Sequence, residues 1–197
     1  MWTKGLFGTE KPIIALLHLD PLPGDPDFCG SLDTVIEHAS CDVKALQEGG
    51  VDGVLIANEF SFPMTYVSHA ETLMAMACVI GAIKKDIHVP FGTNVVMNPE
   101  ETIRMAKAVG ASFGRSAFAG AFTGTYGVHV NNFGENVRLK YALGIPEMKL
   151  LCKINPEGDV LLAEQSIEEI IDNVTLGDHV GAFCVSGPGA GQEASWD

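Results

Sequence analysis

The chain has 197 residues, 47% of them hydrophobic, and its 25 acidic against 12 basic side chains leave a formal net charge of −13. That length supports one substantial core, while so acidic a balance argues against nucleic acid as a partner, because binding a phosphate backbone draws on clustered Lys and Arg. No apolar run reaches the length of a membrane span and the N-terminus lacks the basic region and cleavage pattern of a signal peptide, so the expectation is one domain over residues 1–197 in the cytoplasm.

The first predicted element is a strand, "IIALLHL", which runs into the loop "DPLPGDP" with His18 and Asp20 at the junction. Side chains two apart on a strand share a side, and that spacing suits a histidine base beside a carboxylate. A histidine bonded to backbone and an aspartate capping the turn before Pro21 would leave the same pattern. A helix follows, with Val35, Ile36, Ala39, Val43 and Leu46 on one face and Gly49-Gly50 as its left-handed stop. The second strand, "DGVLIANE", ends at Asn58 and Glu59, the glutamate being a candidate general base or, with Asn58, a metal ligand. The third, "FGTNVVMN", carries Asn94. Its helix is announced by Asn98 as N-cap, Pro99 at the first position, Glu101 placed for a capping box and Gly110 as the stop.

The fourth strand, within "ASFGRSAFAG", holds Arg115 where a solvated charge is not expected. A buried guanidinium needs an anionic partner because it cannot shed its charge, and Glu59 and a substrate oxyanion are the two candidates. The long segment "AGAFTGTYGVHVNNFGEN" reads as a packed lid. Its closing helix, from about Glu135 to Leu143, is expected to be anchored by Leu139, Tyr141, Ala142 and Leu143. The fifth strand, "KLLCKIN", carries Lys153, for which Schiff-base chemistry is weighed against a stem that simply reaches solvent. Ser166 and Glu169 open a further helix with Ile167, Ile170, Ile171 and Val174 on one face. The sixth strand, "GAFCVSG", leads to "SGPGAGQ", where Ser186, Gly187 and Gly189 offer backbone N–H groups to a phosphate. The five cysteines form no Cys-x-x-Cys pair and read as ordinary reduced thiols.

Nearly continuous apolar strands alternating with amphipathic helices imply an α/β fold with a parallel sheet covered by helices. The glycine turn of a dinucleotide-binding fold is missing after the first strand, which favours a (β/α)8 TIM-type barrel, with site residues gathered at the carboxyl ends of the strands. Only about six of the eight strand-helix units of such a barrel are found. The chain therefore reads as incomplete at its C-terminus, a fragment or truncated gene model, with closure by a partner as the lesser reading.

Taken together, "HLDPLPGDP" at 18 to 26, "GGVDGVLIANEFSFP" at 49 to 63, "PFGTNVVMNP" at 90 to 99, "FAGAFTGTYGVHVNNFGE" at 118 to 135 and "CVSGPGAG" at 184 to 191 resemble the BtpA/SgcQ family, nearer its SgcQ-like branch. The resemblance implies a barrel of the ribulose-phosphate-binding type. It also implies a carbohydrate-utilisation role for SgcQ-like members and a photosystem I biogenesis role for BtpA-like ones, and relatives that continue through two further strands holding a phosphate site. It carries over onto His18, Pro21, Pro23, Gly24, Asn58, Glu59, Asn94, Arg115, Ser186 and Gly187, while Ser116 and Lys153 depart from what it leads one to expect.

The expected activity is acid/base chemistry next to the carbonyl of a small phosphorylated sugar, isomerase- or aldolase-like. His18, Glu59 and Asp20 are the catalytic candidates, and Asn58, Asn94, Arg115, Ser186, Gly187 and Gly189 the substrate contacts. A divalent metal on Glu59 and Asp20 has no spacing rule behind it, and no other cofactor is indicated. The alternative is a noncatalytic barrel scaffold, an assembly or stability factor for a membrane complex. Assembly into a homo-oligomer stays open.

Overall fold

The computed structural model describes residues 1–189 and 192–194. In chain order the elements are α1 (Trp2–Phe7), β1 (Ile14–His18), α2 (Leu32–Glu48), β2 (Gly53–Ala57), α3 (Ala70–Ile83), β3 (Phe91–Asn94), α4 (Pro99–Val109) and β4 (Phe113–Ser116). They continue as β5 (Gly120–Gly124), β6 (Gly127–Asn131), α5 (Phe133–Ala142), β7 (Lys149–Lys153), β8 (Asp159–Leu161), α6 (Ile167–Thr175) and β9 (Val180–Cys184). The six strands anticipated from the apolar runs form one sheet in the order β1-β2-β3-β4-β7-β9, all neighbours parallel. Each strand lies beside its predecessor in that sheet, whereas a doubly wound fold reverses its strand order. The α/β barrel reading therefore holds.

The outer face of the sheet packs on the helices. Leu17, Val54, Ile56 and Phe91 meet Val35, Ala39 and Val43 of α2 and Met76, Val79, Ile80 and Ile83 of α3, all in one buried cluster. On α2 the most deeply buried members of the predicted face are Val35, Ala39 and Val43, and Gly50, at φ 81°, supplies the left-handed stop. The inner face is filled by Leu55, Phe113 and Leu151, against which α1 lays Trp2, Leu6 and Phe7. Gly92 makes room for this filling, since a Cβ there would fall 2.3 Å from the Phe113 ring.

Local expectations fare unevenly. Ser166 and Glu169 form both halves of the capping box of α6. Asn98 does occupy the N-cap of α4, but its side chain caps nothing and instead donates to the carbonyls of Thr65 and Val96, while Glu101 faces Arg104 at 3.5 Å. Helix α5 buries Asn136, Val137 and Lys140. Of its expected anchors, Leu139 and Leu143 are partly buried, and Tyr141 and Ala142 are exposed.

The segment read as a lid is a small sheet of its own, ordered β6-β5-β8 and antiparallel throughout. Its third strand comes from the connection between β7 and α6, so two separate stretches of chain build it. Among the described residues no helix is long and apolar enough to cross a membrane.

Candidate active site

A cavity of about 520 Å³ lies at the carboxyl ends of the parallel strands. Alternation along a strand decides which side chains reach it. Leu16 and His18 of β1, Glu59 beyond β2, Asn94 of β3, Arg115 of β4 and Lys153 of β7 all line it. Leu16 and His18 keep the parity of Ile14, and Glu59, Asn94, Arg115 and Lys153 that of Leu55, Gly92, Phe113 and Leu151.

Two of these groups are incompletely bonded. His18 Nε2 and Arg115 Nε are buried and have no hydrogen-bond partner, although native interiors pair nearly every such atom. The His18 ring meets Phe60 edge-on, with centroids 5.8 Å apart, which fixes its plane. Among the described residues no carboxylate comes within ion-pair distance of Arg115, so Glu59 is not its partner. Lys153 differs: its ammonium donates to the Glu157 carboxylate. Burial alone would raise the Glu157 carboxyl, but the hydrogen bond and charge of Lys153 outweigh it and hold the group below the ordinary carboxylate value.

The other expected site residues lie apart from this group. Asp20 turns away once β1 has ended, and its carboxylate lies 2.6 Å from His38 Nδ1 on α2. Asn58 has the opposite parity to Glu59, accepts from the Val96 N–H at 2.9 Å and lines a separate cavity of about 200 Å³. The divalent metal considered on Glu59 with Asp20 or Asn58 thereby loses its donor set. Among the described residues no cluster of three or more His, Cys, Asp or Glu side chains could hold a metal ion. The backbone of Ser186 is tied to the Asn155 amide at 2.8 and 2.9 Å. Gly187 is closed over by chain, a Cβ there falling 2.2 Å from the Gln192 carbonyl. Of that loop, Pro188 and Gly189 do line the cavity. Residues 190 and 191 of the same glycine-rich segment lie outside the described residues.

The roof of the cavity was hardest to foresee. Thr125, Tyr126, His129 and Asn131 of the small sheet line it, as do Glu157 and Asp159. The His129 ring stacks between Tyr66 and Phe122, at 4.6 and 5.2 Å. Tyr66 belongs to the connection between β2 and α3, so this stack ties the roof to the opposite side of the mouth. Burial, and then the charge of Asp159, raise the Tyr66 hydroxyl above its ordinary value.

The sequence profile of the BtpA family matches residues 9–197. The sgc region protein SgcQ of Escherichia coli is 43% identical over 192 residues, which are 96% of this chain and 72% of that protein. The photosystem I biogenesis protein BtpA of Synechocystis sp. is 33% identical over 141 residues, 70% of this chain and 49% of that one. Among solved structures, a dihydrodipicolinate synthase from Agrobacterium tumefaciens superposes with a TM-score of 0.56 at 16% identity, covering 88% of this chain and 53% of its own. The 7,8-dihydropteroate synthase from Vibrio fischeri gives 0.53 at 14% identity, covering 75% and 47%. The chain thus matches about half the length of each of these barrels, and at such identities the likeness shows the fold alone.

Proposed function

The chain belongs to the BtpA family, and from that premise we propose that it is an enzyme acting on a small phosphorylated sugar, by proton transfer next to a carbonyl. The observation that supports this reading is the pair of buried, unpartnered atoms, Arg115 Nε and His18 Nε2, facing one cavity at the carboxyl ends of the strands. Arg115 is half-buried with its Nε left unbonded, and an anionic substrate group would supply the missing acceptor. The phosphate or the developing oxyanion sits at Arg115, with the Asn94 amide beside it as a hydroxyl contact. His18 and Glu59 then exchange the proton at the neighbouring carbon, one as acid and one as base. The Lys153 amine, engaged by Glu157, is held as a charge near the anion rather than freed as a nucleophile. Because the protein as a whole is acidic, binding depends on this local cluster and not on the global field.

A thermal-shift screen of sugar phosphates tests the proposal. A ligand specific for the native state, at about 100 times its dissociation constant, adds roughly 2.7 kcal/mol of stability. The response should disappear in Arg115→Met. Turnover of any hit should fail in His18→Ala and Glu59→Gln while both stay folded. A folded wild type that answers to no sugar phosphate would sink the reading.

One observation favours a second reading, a noncatalytic barrel that serves as an assembly or stability factor. The outer face of the small sheet exposes Val128, Val130, Val160 and Leu162, each more than half accessible at 61%, 74%, 67% and 54%, and contiguous exposed apolar side chains mark interaction surfaces. On that reading changes at His18 and Glu59 leave the cellular role intact, whereas Val130→Asp abolishes it.

A further inference from the structure

The roof of the cavity carries polar groups that the proton transfer at His18 and Glu59 does not use. His129 on β6 and Asp159 at the start of β8 belong to strands separated by β5, yet imidazole Nε2 and carboxylate Oδ2 are 3.1 Å apart. The contact crosses the middle strand at Gly124, where a Cβ would fall 2.0 Å from Asp159 Oδ1. Only a residue without a side chain lets the carboxylate pass. The two side chains keep just 8% and 7% of their surface exposed. Tyr66 and Phe122 cover the two faces of the ring, at interplanar angles of 18° and 26°, so its polar contacts are confined to the nitrogens in its plane. The acceptor-only carboxylate takes the hydrogen of Nε2, which leaves the lone pair on Nδ1. That lone pair meets the Asn131 amide at 3.2 Å, and Asn131, like His129 and Asp159, lines the main cavity.

We propose that His129, oriented by Asp159, is a second proton-accepting site of this cavity, carried on its roof and covered by Asn131 until a substrate hydroxyl takes the place of the amide. A base held in position by a third group is the general arrangement for activated proton transfer. The substrate O–H displaces the Asn131 N–H, and its proton passes to Nδ1. The resulting imidazolium is stabilised by the Asp159 carboxylate, which stays ionised, and the proton returns to the product. The fitting ligand is a polyhydroxy compound whose hydroxyl reaches the roof while its anionic group lies at Arg115. This role rests on the cavity being an enzyme site, but the lone pair can be tested without a substrate.

Diethyl pyrocarbonate acylates unprotonated imidazole nitrogen, and mass spectrometry of the whole protein after digestion reads each histidine separately. His69 and His88 are exposed and serve as internal standards. His129 should be acylated in wild type more slowly than the standards and several-fold faster in Asn131→Ala, with Asn131→Ser used instead if the alanine variant melts early. Ribose 5-phosphate present during labelling should protect His129. A His129 inert in wild type and in both variants, under conditions that fully acylate the standards, would overturn the proposal. A reactive His129 that no sugar phosphate protects would leave the second base standing and count against the sugar-phosphate reading.

Discussion

Arg115 and Lys153 are both cations on the inner face of the sheet, yet they differ in what balances them. Lys153 has Glu157 within the chain, and Arg115 has no carboxylate among the described residues. The sequence already carried this distinction in part, because a charge in mid-strand signals a required partner, and the residues of inner parity, His18, Glu59, Asn94 and Arg115, do converge. Asn58 misleads because it is a single residue out of phase, and Asp20 because its carboxylate is taken by His38 of α2, whereas Glu59, equally two residues past its strand, still lines the cavity. Nor was Glu157 visible, since nothing in "NPEGD" says that the loop folds back on Lys153. The pair has a pH signature. Because the carboxyl is held below its ordinary value in the folded protein, the unfolded chain binds a proton more readily. The stability it contributes is therefore complete above the ordinary carboxylate value and is lost as pH falls through the lower, folded one. Denaturant titrations from neutral pH down to about pH 3 should show a shallower loss of stability on the acid side for Glu157→Gln than for wild type. Parallel curves would mean that the ion pair is cosmetic. With 33% of the Glu157 side chain exposed, the effect is a modest one.

At the scale of elements, the parallel strands were legible because they are short apolar runs between amphipathic helices, and helix ends because Gly50, Gly110 and Ser166 carry their own backbone logic. The small sheet was not. Its strands are diluted by Gly120, Gly124 and Gly127, its hairpin lacks an Asn-Gly turn, and its third strand arrives from a distant stretch of chain. The usable signal was the alternation of Val128, His129 and Val130, apolar outward and polar inward. Gly124 is the position where this element is most constrained, since its neighbour's carboxylate fills the space a side chain would take. Gly124→Ala should cost about 1–3 kcal/mol, the usual range for overpacking. The loss should be local: amide exchange rises in β5, β6 and β8 while that of α2 is unchanged. Uniform acceleration through the molecule, or none, would show that the small sheet does not depend on that crossing.

For the molecule as a whole, the main sheet has two outer strands among the described residues, β1 and β9, and Leu16, an inner-face residue, is 43% exposed. Among the described residues no ladder joins those two strands. Helix α1, which carries no periodic signal long enough to read, packs across the inner face from β2 to β9. Its Phe7 ring packs edge-on against Phe113 of β4 at 5.6 Å, close to the start of β2 at Gly53. On the other side the Trp2 indole donates to the Gly181 carbonyl of β9 at 2.6 Å. The helix itself is only six residues long, too short to be stable alone, so its order comes from these contacts and its worth to the fold lies in bridging the sheet. Trp2→Phe keeps the ring but removes the donor, and the Gly181 carbonyl is left without it. The expected loss is about 1 kcal/mol, seen as a lower denaturant midpoint with an unchanged slope. Trp2→Ala should lose more, because part of the packing on Phe7 goes with it. If both variants unfold at the wild-type midpoint, α1 is an appendage, and the sheet is held by its strands and outer helices alone.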